Sequence, residues 1–160
     1  MTIHTSPTGD VHDFDFLIGV WTVISRRLTT RWVGSDAWDE CPATSRCEAR
    51  LEGVANVDEI VFPTQGFAGM TLRVFDLEQR LWSIYWINST RGVLGAPVRG
   101  GFTGDRGEFY GEDVDDGRPI MARFVWTRRG PDRARWEQAF ARDGGAWETN
   151  WVMEFTRATD

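Results

Sequence analysis

Residues 147–157 read Trp-Glu-Thr-Asn-Trp-Val-Met-Glu-Phe-Thr-Arg, in which Trp147, Thr149, Trp151, Met153 and Phe155 occupy every second position. Glu148, Asn150, Val152, Glu154 and Thr156 take the other phase. Successive side chains of a strand point to opposite faces, so this spacing predicts a half-buried β-strand. The same period recurs back along the chain. Trp136, Gln138 and Phe140 alternate with Arg135, Glu137 and Ala139. Ile120, Ala122, Phe124 and Trp126 alternate with Met121, Arg123, Val125 and Thr127. Trp82, Ile84 and Trp86 alternate with Ser83, Tyr85 and Ile87. Met70, Leu72 and Val74 oppose Thr71, Arg73 and Phe75, and Trp21, Val23 and Ser25 oppose Thr22, Ile24 and Arg26.

Turn residues punctuate these runs at short intervals: Pro63 to Gly66, Asp76 to Gln79, Gly104 to Gly107, Asp115 to Gly117, Gly130 to Asp132 and Asp143 to Gly145. Asp-Gly and Gly-Gly supply the positive φ of tight hairpins. The pattern predicts about ten strands in up-and-down order. No helical period outlasts a turn or two; residues 13–19 read as one short helical turn ended by Gly19. Strongly apolar strands at both ends of the chain would make poor open edges, and closure removes edges. The expected fold is therefore all-β, a single antiparallel up-and-down barrel. Residues 1–12, polar and containing Pro7 and Gly9, are expected to be a flexible tail, and residues 13–160 one domain.

Composition narrows the function. Nine Trp, ten Phe and two Tyr make up 13% of the 160 residues, more than a small core needs, and point to an aromatic-lined cavity. The net charge of −6 and the absence of a basic stripe argue against nucleic acid as a partner. The first thirteen residues lack a basic segment followed by an apolar run, and no window approaches the ~20 apolar residues of a membrane span, so a cytoplasmic location is expected. There Asn88-Ser89-Thr90 has no consequence as a glycosylation sequon, and Cys41 and Cys47 are expected to be free thiols. Two sulfurs without a nearby His make a poor metal site, and none is expected.

FDFLIGVWTV at residues 14–23 resembles the opening of calycins, the lipocalin-like barrels, where a short turn leads through G-x-W into the first strand. DGGAWETNWVMEFTR at residues 143–157 resembles the last hairpin of uncharacterised bacterial lipocalin-like barrels. The resemblance implies that Gly19 and Trp21 belong to the signature and that Trp21 packs beneath Arg157, closing one end of the barrel. A more distant resemblance is to nitrobindin-like haem barrels, which bind iron through a histidine on the barrel wall. The only histidines here are His4 and His12, both in the expected tail, so haem and other cofactors are not expected.

Barrels of this size can hold one small ligand among apolar walls and a few polar groups. Aromatic residues and the polar residues that share their face are the candidates: Trp86, Asn88, Tyr110, Phe124, Trp126, Trp136, Gln138, Phe140, Thr149 and Trp151. Tyr110 and Glu112 share a face, and Arg27 falls in phase with Trp21. If these point inward, Arg27 suits a ligand carboxylate, and Tyr110 and Glu112 suit proton transfer. A slip of one residue would exchange every inward assignment for an outward one. The Gly-rich stretch 88–101 reads as a lid carrying Arg91 and Arg99, or else as an ordinary hairpin or a subunit contact in a homodimer. Asp113 to Gly117 lacks the spacing of a calcium loop and reads as a hairpin turn. No G-x-S-x-G, P-loop or H-E-x-x-H is present.

The expected function is binding of a small hydrophobic or aromatic molecule inside the barrel. One alternative is a cofactor-independent isomerase, cyclase or lyase using Tyr110, Glu112 or Arg27. The other is a structural barrel filled by its own side chains, for which nine Trp would suffice.

Overall fold

Ten antiparallel strands follow one another around a closed barrel: β1 (Gly19–Leu28), β2 (Trp38–Arg50), β3 (Ala55–Phe62), β4 (Phe67–Asp76), β5 (Leu81–Asn88), β6 (Val98–Thr103), β7 (Arg106–Asp115), β8 (Arg118–Arg128), β9 (Arg133–Ala141) and β10 (Glu148–Arg157). The computed structural model describes residues 7–159; His4 and the first half of the expected tail lie outside the described residues. Each strand pairs with its sequence neighbour, and β1 closes the ring by pairing with β10 from Trp21↔Arg157 to Arg27↔Trp151. The architecture is that expected from the alternation and is compatible with a calycin-like fold. No described helix is long and apolar enough to cross a membrane.

The two ends of the barrel differ. At the floor the chain passes through a 3-10 turn, Asp15–Leu17, just before β1. Phe14 and Leu17 are buried there, and Phe14 meets Trp82, Phe102 and Phe109 with ring centres 5.1, 5.3 and 5.6 Å apart. The Trp21 indole N–H donates to the Leu17 carbonyl at 2.9 Å. Residues 9 and 10, grouped by their polarity with the tail, are hydrogen-bonded to this floor. The Gly9 N–H donates to the Arg80 carbonyl at 2.7 Å, and the Trp82 indole N–H donates to the Asp10 carbonyl at 2.9 Å. A side chain at Gly9 or Gly101 would strike the other's backbone, so both positions need glycine.

At the mouth, three connections are tied into a rim. Arg31, in the β1–β2 loop, holds Asp115 at the tip of β7 through two guanidinium contacts, one of them Nε to Oδ2 at 3.0 Å. The Trp32 indole N–H donates to the same carboxylate at 2.8 Å, and the Trp32 backbone N–H donates to Glu148 Oε1 at 2.8 Å. Arg142, in the β9–β10 loop, covers the Trp32 ring at 3.9 Å. Asp116 and Gly117 both take positive φ (50° and 76°), so the segment once comparable to a calcium loop is a tight hairpin.

The lumen is packed by inward residues from all ten strands. Within it lies a feature that alternation alone does not announce. Arg73 and Asp58, 3% and 8% exposed, form an ion pair at 2.7 Å deep in the barrel. Arg73 Nη1 also donates to Asn56 Oδ1 at 2.8 Å, and its guanidinium faces the rings of Phe14 and Trp126 at 5.1 and 5.6 Å. Buried charges need such pairing to offset the loss of water.

Candidate functional site

The inward phase of β5, β8, β9 and β10 brings Trp86, Phe124, Trp126, Trp136 and Trp151 to one region of the lumen. Trp151 is the hub. Its ring meets Trp136 edge-on at 5.2 Å and Trp86 edge-on at 5.9 Å, and its indole N–H donates to the buried Ser25 hydroxyl at 2.9 Å. Phe124 meets Trp136 at 5.1 Å. Trp86 fits because Gly69 lies beneath it; a Cβ at Gly69 would come within 1.9 Å of the indole. These rings consume most of the space they enclose. The cavity left between them, Arg73 and Asp58 is about 40 Å³. One water needs roughly 10–15 Å³ of such space, so this gap suits a few waters rather than an organic ligand.

The larger recess lies above, at the mouth. Its volume is about 390 Å³, and Phe62, Phe67, Phe140, Arg27, Gln138 and Asn150 contribute to its walls. Gln138 borders both spaces, and its side-chain amide donates to Asn150 Oδ1 at 2.8 Å. Phe62 and Phe67 stack at 4.5 Å on the opposite wall. Arg27, near the mouth end of β1, is exposed, and its guanidinium lies over the Trp151 ring at 4.2 Å. Burial, and secondly the neighbouring Arg31 charge, lower the pKa of Arg27 from its ordinary value. Among the described residues no carboxylate is ion-paired with it.

Three candidate residues lie elsewhere than their spacing suggests, and a fourth, Asn88, has its side chain occupied. Thr149 pairs with Ala139 on the outer face, whereas Trp151 pairs with Gln138 inside; a bulge between them makes Asn150 the extra residue. A bulge inserts one residue and reverses the phase beyond it. Thr149 and Trp147 therefore leave the Trp151 face, and the Trp147 ring meets Tyr110 at 5.9 Å. Tyr110 and Glu112 project from the outer wall, because Phe109 of the same strand takes the inward phase and is fully buried. The Tyr110 hydroxyl donates to Glu108 at 3.3 Å, and burial, followed by the Glu108 charge, raises its pKa. Asn88 does fall at the mouth end of β5, but its Oδ1 accepts from the Thr90 backbone N–H at 2.9 Å and the Thr90 hydroxyl at 2.7 Å, capping the turn.

The remaining assignments concern the rim and floor. The lid segment divides into a loop of residues 89–97 at the mouth end and strand β6, with Arg91 and Arg99 both exposed. Gly100 of β6 allows close strand contact, since a Cβ there would meet the Glu108 carbonyl at 1.8 Å. Arg157 lies over Trp21 at the floor, and Gly19, at φ 129°, leaves room for its guanidinium. Cys41 and Cys47 are buried free thiols; burial pushes the Cys47 thiol up to about 11. His12 is exposed and pairs with Asp15 at 2.8 Å.

The residues missed by sequence reasoning are Arg73, Asp58 and Asn150. The first two are charged and were assigned no inward role, and the third acquires its position from the bulge. No protein-family model matches the chain, and no curated protein matches it in sequence.

Proposed function

We propose that the protein binds a small molecule with an apolar or aromatic body in the recess at the barrel mouth. The observation that carries this reading is the position of the recess: it holds about 390 Å³ at the barrel mouth and shares Gln138 with the ring-filled lumen, which itself leaves about 40 Å³. Ligand pockets usually measure roughly 300–1,000 Å³ and combine apolar walls with a few polar groups. Phe62, Phe67 and Phe140 supply apolar wall, while the rest of the lining is largely polar, with Arg27, Gln138 and Asn150 beside the charged Arg31, Asp39 and Asp115. The filled-barrel reading applies to the lower lumen only. The enzymatic alternative loses its acid/base pair, since Tyr110 and Glu112 face away from the recess.

Titration with a library of hydrophobic and aromatic compounds, followed by tryptophan fluorescence, tests the reading. A saturable change for at least one compound, weakened by Phe140→Glu, is the expected result. No response across the library would overturn it in favour of a wholly structural barrel.

A further inference from the structure

We infer that the ligand class is a carboxylic acid, with an apolar or aromatic body against Phe67 and Phe140 and its carboxylate held between the Arg27 guanidinium and the Asn150 side-chain amide. This deepens the proposal of a mouth site and rests on it.

Two features of the mouth ask for a ligand oxygen, and the first of them favours a charged one. The first is the Arg27 charge. The acids that share the recess are Asp115 and Asp39. Asp115 is already held by Arg31 and Trp32. Asp39 stands opposite Arg27 in the β1–β2 ladder but forms no ion pair with it. Stacking on Trp151 fixes the guanidinium without neutralising it. A cation held against a ring at the mouth and ion-paired with none of the described carboxylates favours an anion, and its planar fork matches a carboxylate.

The second feature is Asn150, 4% exposed, whose Nδ2 has no hydrogen-bond partner. Its Oδ1 is occupied by Gln138, so the amide orientation leaves an N–H donor unused. A buried donor left unpaired is costly, and an acceptor brought by a ligand would relieve that cost. A carboxylate has two oxygens and can accept from both groups at once. A neutral amide of the same shape offers one acceptor and no charge.

The test is a calorimetric titration of the intact protein at pH 7 and low salt with 2-naphthoate and with 2-naphthamide. The acid is expected to bind roughly tenfold or more tightly than the amide, the effect of one charge-assisted contact. In Arg27→Gln, with its fold checked by near-UV circular dichroism, the preference should vanish while the amide still binds. Equal binding of acid and amide to the unmutated protein would overturn the carboxylate class and leave the mouth site standing. An undiminished preference in Arg27→Gln would overturn the assignment to Arg27. Failure of both naphthalenes to bind overturns this inference, whereas failure of the whole aromatic library overturns the mouth site as well.

Discussion

The Arg157 guanidinium lies 4.2 Å from the centre of the Trp21 ring, and the two residues face each other across the β1–β10 seam that closes the barrel. The contact does more than stack. Arg157 also donates to the carbonyls of Ile18 at 2.9 Å and Phe16 at 2.7 Å, which fastens the 3-10 turn under the floor. One side chain thus joins the last strand, the first strand and the plug. Arg157→Ala should lower unfolding free energy by about 2–3 kcal/mol, combining charge-assisted hydrogen bonds with a cation–ring contact at a partly exposed site. Arg157→Lys should recover only part of this, because an ammonium cannot reproduce the fork. Urea denaturation measures both, and an unchanged midpoint in the Ala variant would contradict the role.

The buried pair Arg73–Asp58 makes a different prediction. Removing one partner strands a charge inside the barrel, so Asp58→Asn should destabilise by about 3–5 kcal/mol. Replacing both, Arg73→Met with Asp58→Leu, should cost less than the single change, since neither charge remains to be compensated. Denaturant midpoints for the unmutated protein, Arg73→Met, Asp58→Leu and the double variant decide the matter. Losses that simply add would show that the two side chains are not coupled.

Acid should loosen the mouth. The Arg31 hydrogen bond, chiefly, holds the Asp115 carboxyl below its ordinary value near 3.8. The stabilisation is full above that ordinary value and is lost as pH falls through the lower, folded-state value. Stability measured from pH 6 down to pH 2 should therefore fall, and Asp115→Asn should be less stable at neutral pH with a shallower acid slope. An identical slope in the variant would remove Asp115 from the account of acid sensitivity.

Cys47 should be inert in the folded protein. Burial raises its pKa to about 11, and the thiolate is the reactive form. In a Cys41→Ala background, a thiol reagent at pH 8 should label the native protein far more slowly than the urea-unfolded chain. Equal rates would show that the β2 interior opens readily to solvent.

The strand order, closure and floor were legible because they rest on local alternation and on two short motifs. FDFLIGVW places Phe14, Leu17 and Trp21 at one end, and the terminal Arg157 meets them there. The candidate site was legible only in part, for three physical reasons. Alternation assumes an uninterrupted ladder, and the Asn150 bulge reverses the phase of Thr149 with no glycine or proline to announce it. Charged residues usually face water, so Arg73 and Asp58 gave no sign that they pair inside. A strand of mixed polarity such as β7 does not declare its phase, and Tyr110 and Glu112 went outward once Phe109 turned in. What sequence could not provide was volume: the same rings that suggest a lined cavity also fill it.

The tryptophan indole N–H signals in a two-dimensional nitrogen–proton NMR spectrum, recorded while 2-naphthoate is added, test the mouth site most directly. Trp151, whose indole is bonded to Ser25 beneath the mouth, should shift progressively and saturate, while Trp21 and Trp82 at the sealed floor should stay in place. Shifts confined to the floor, or to the outward-facing Trp147, would contradict binding at the mouth.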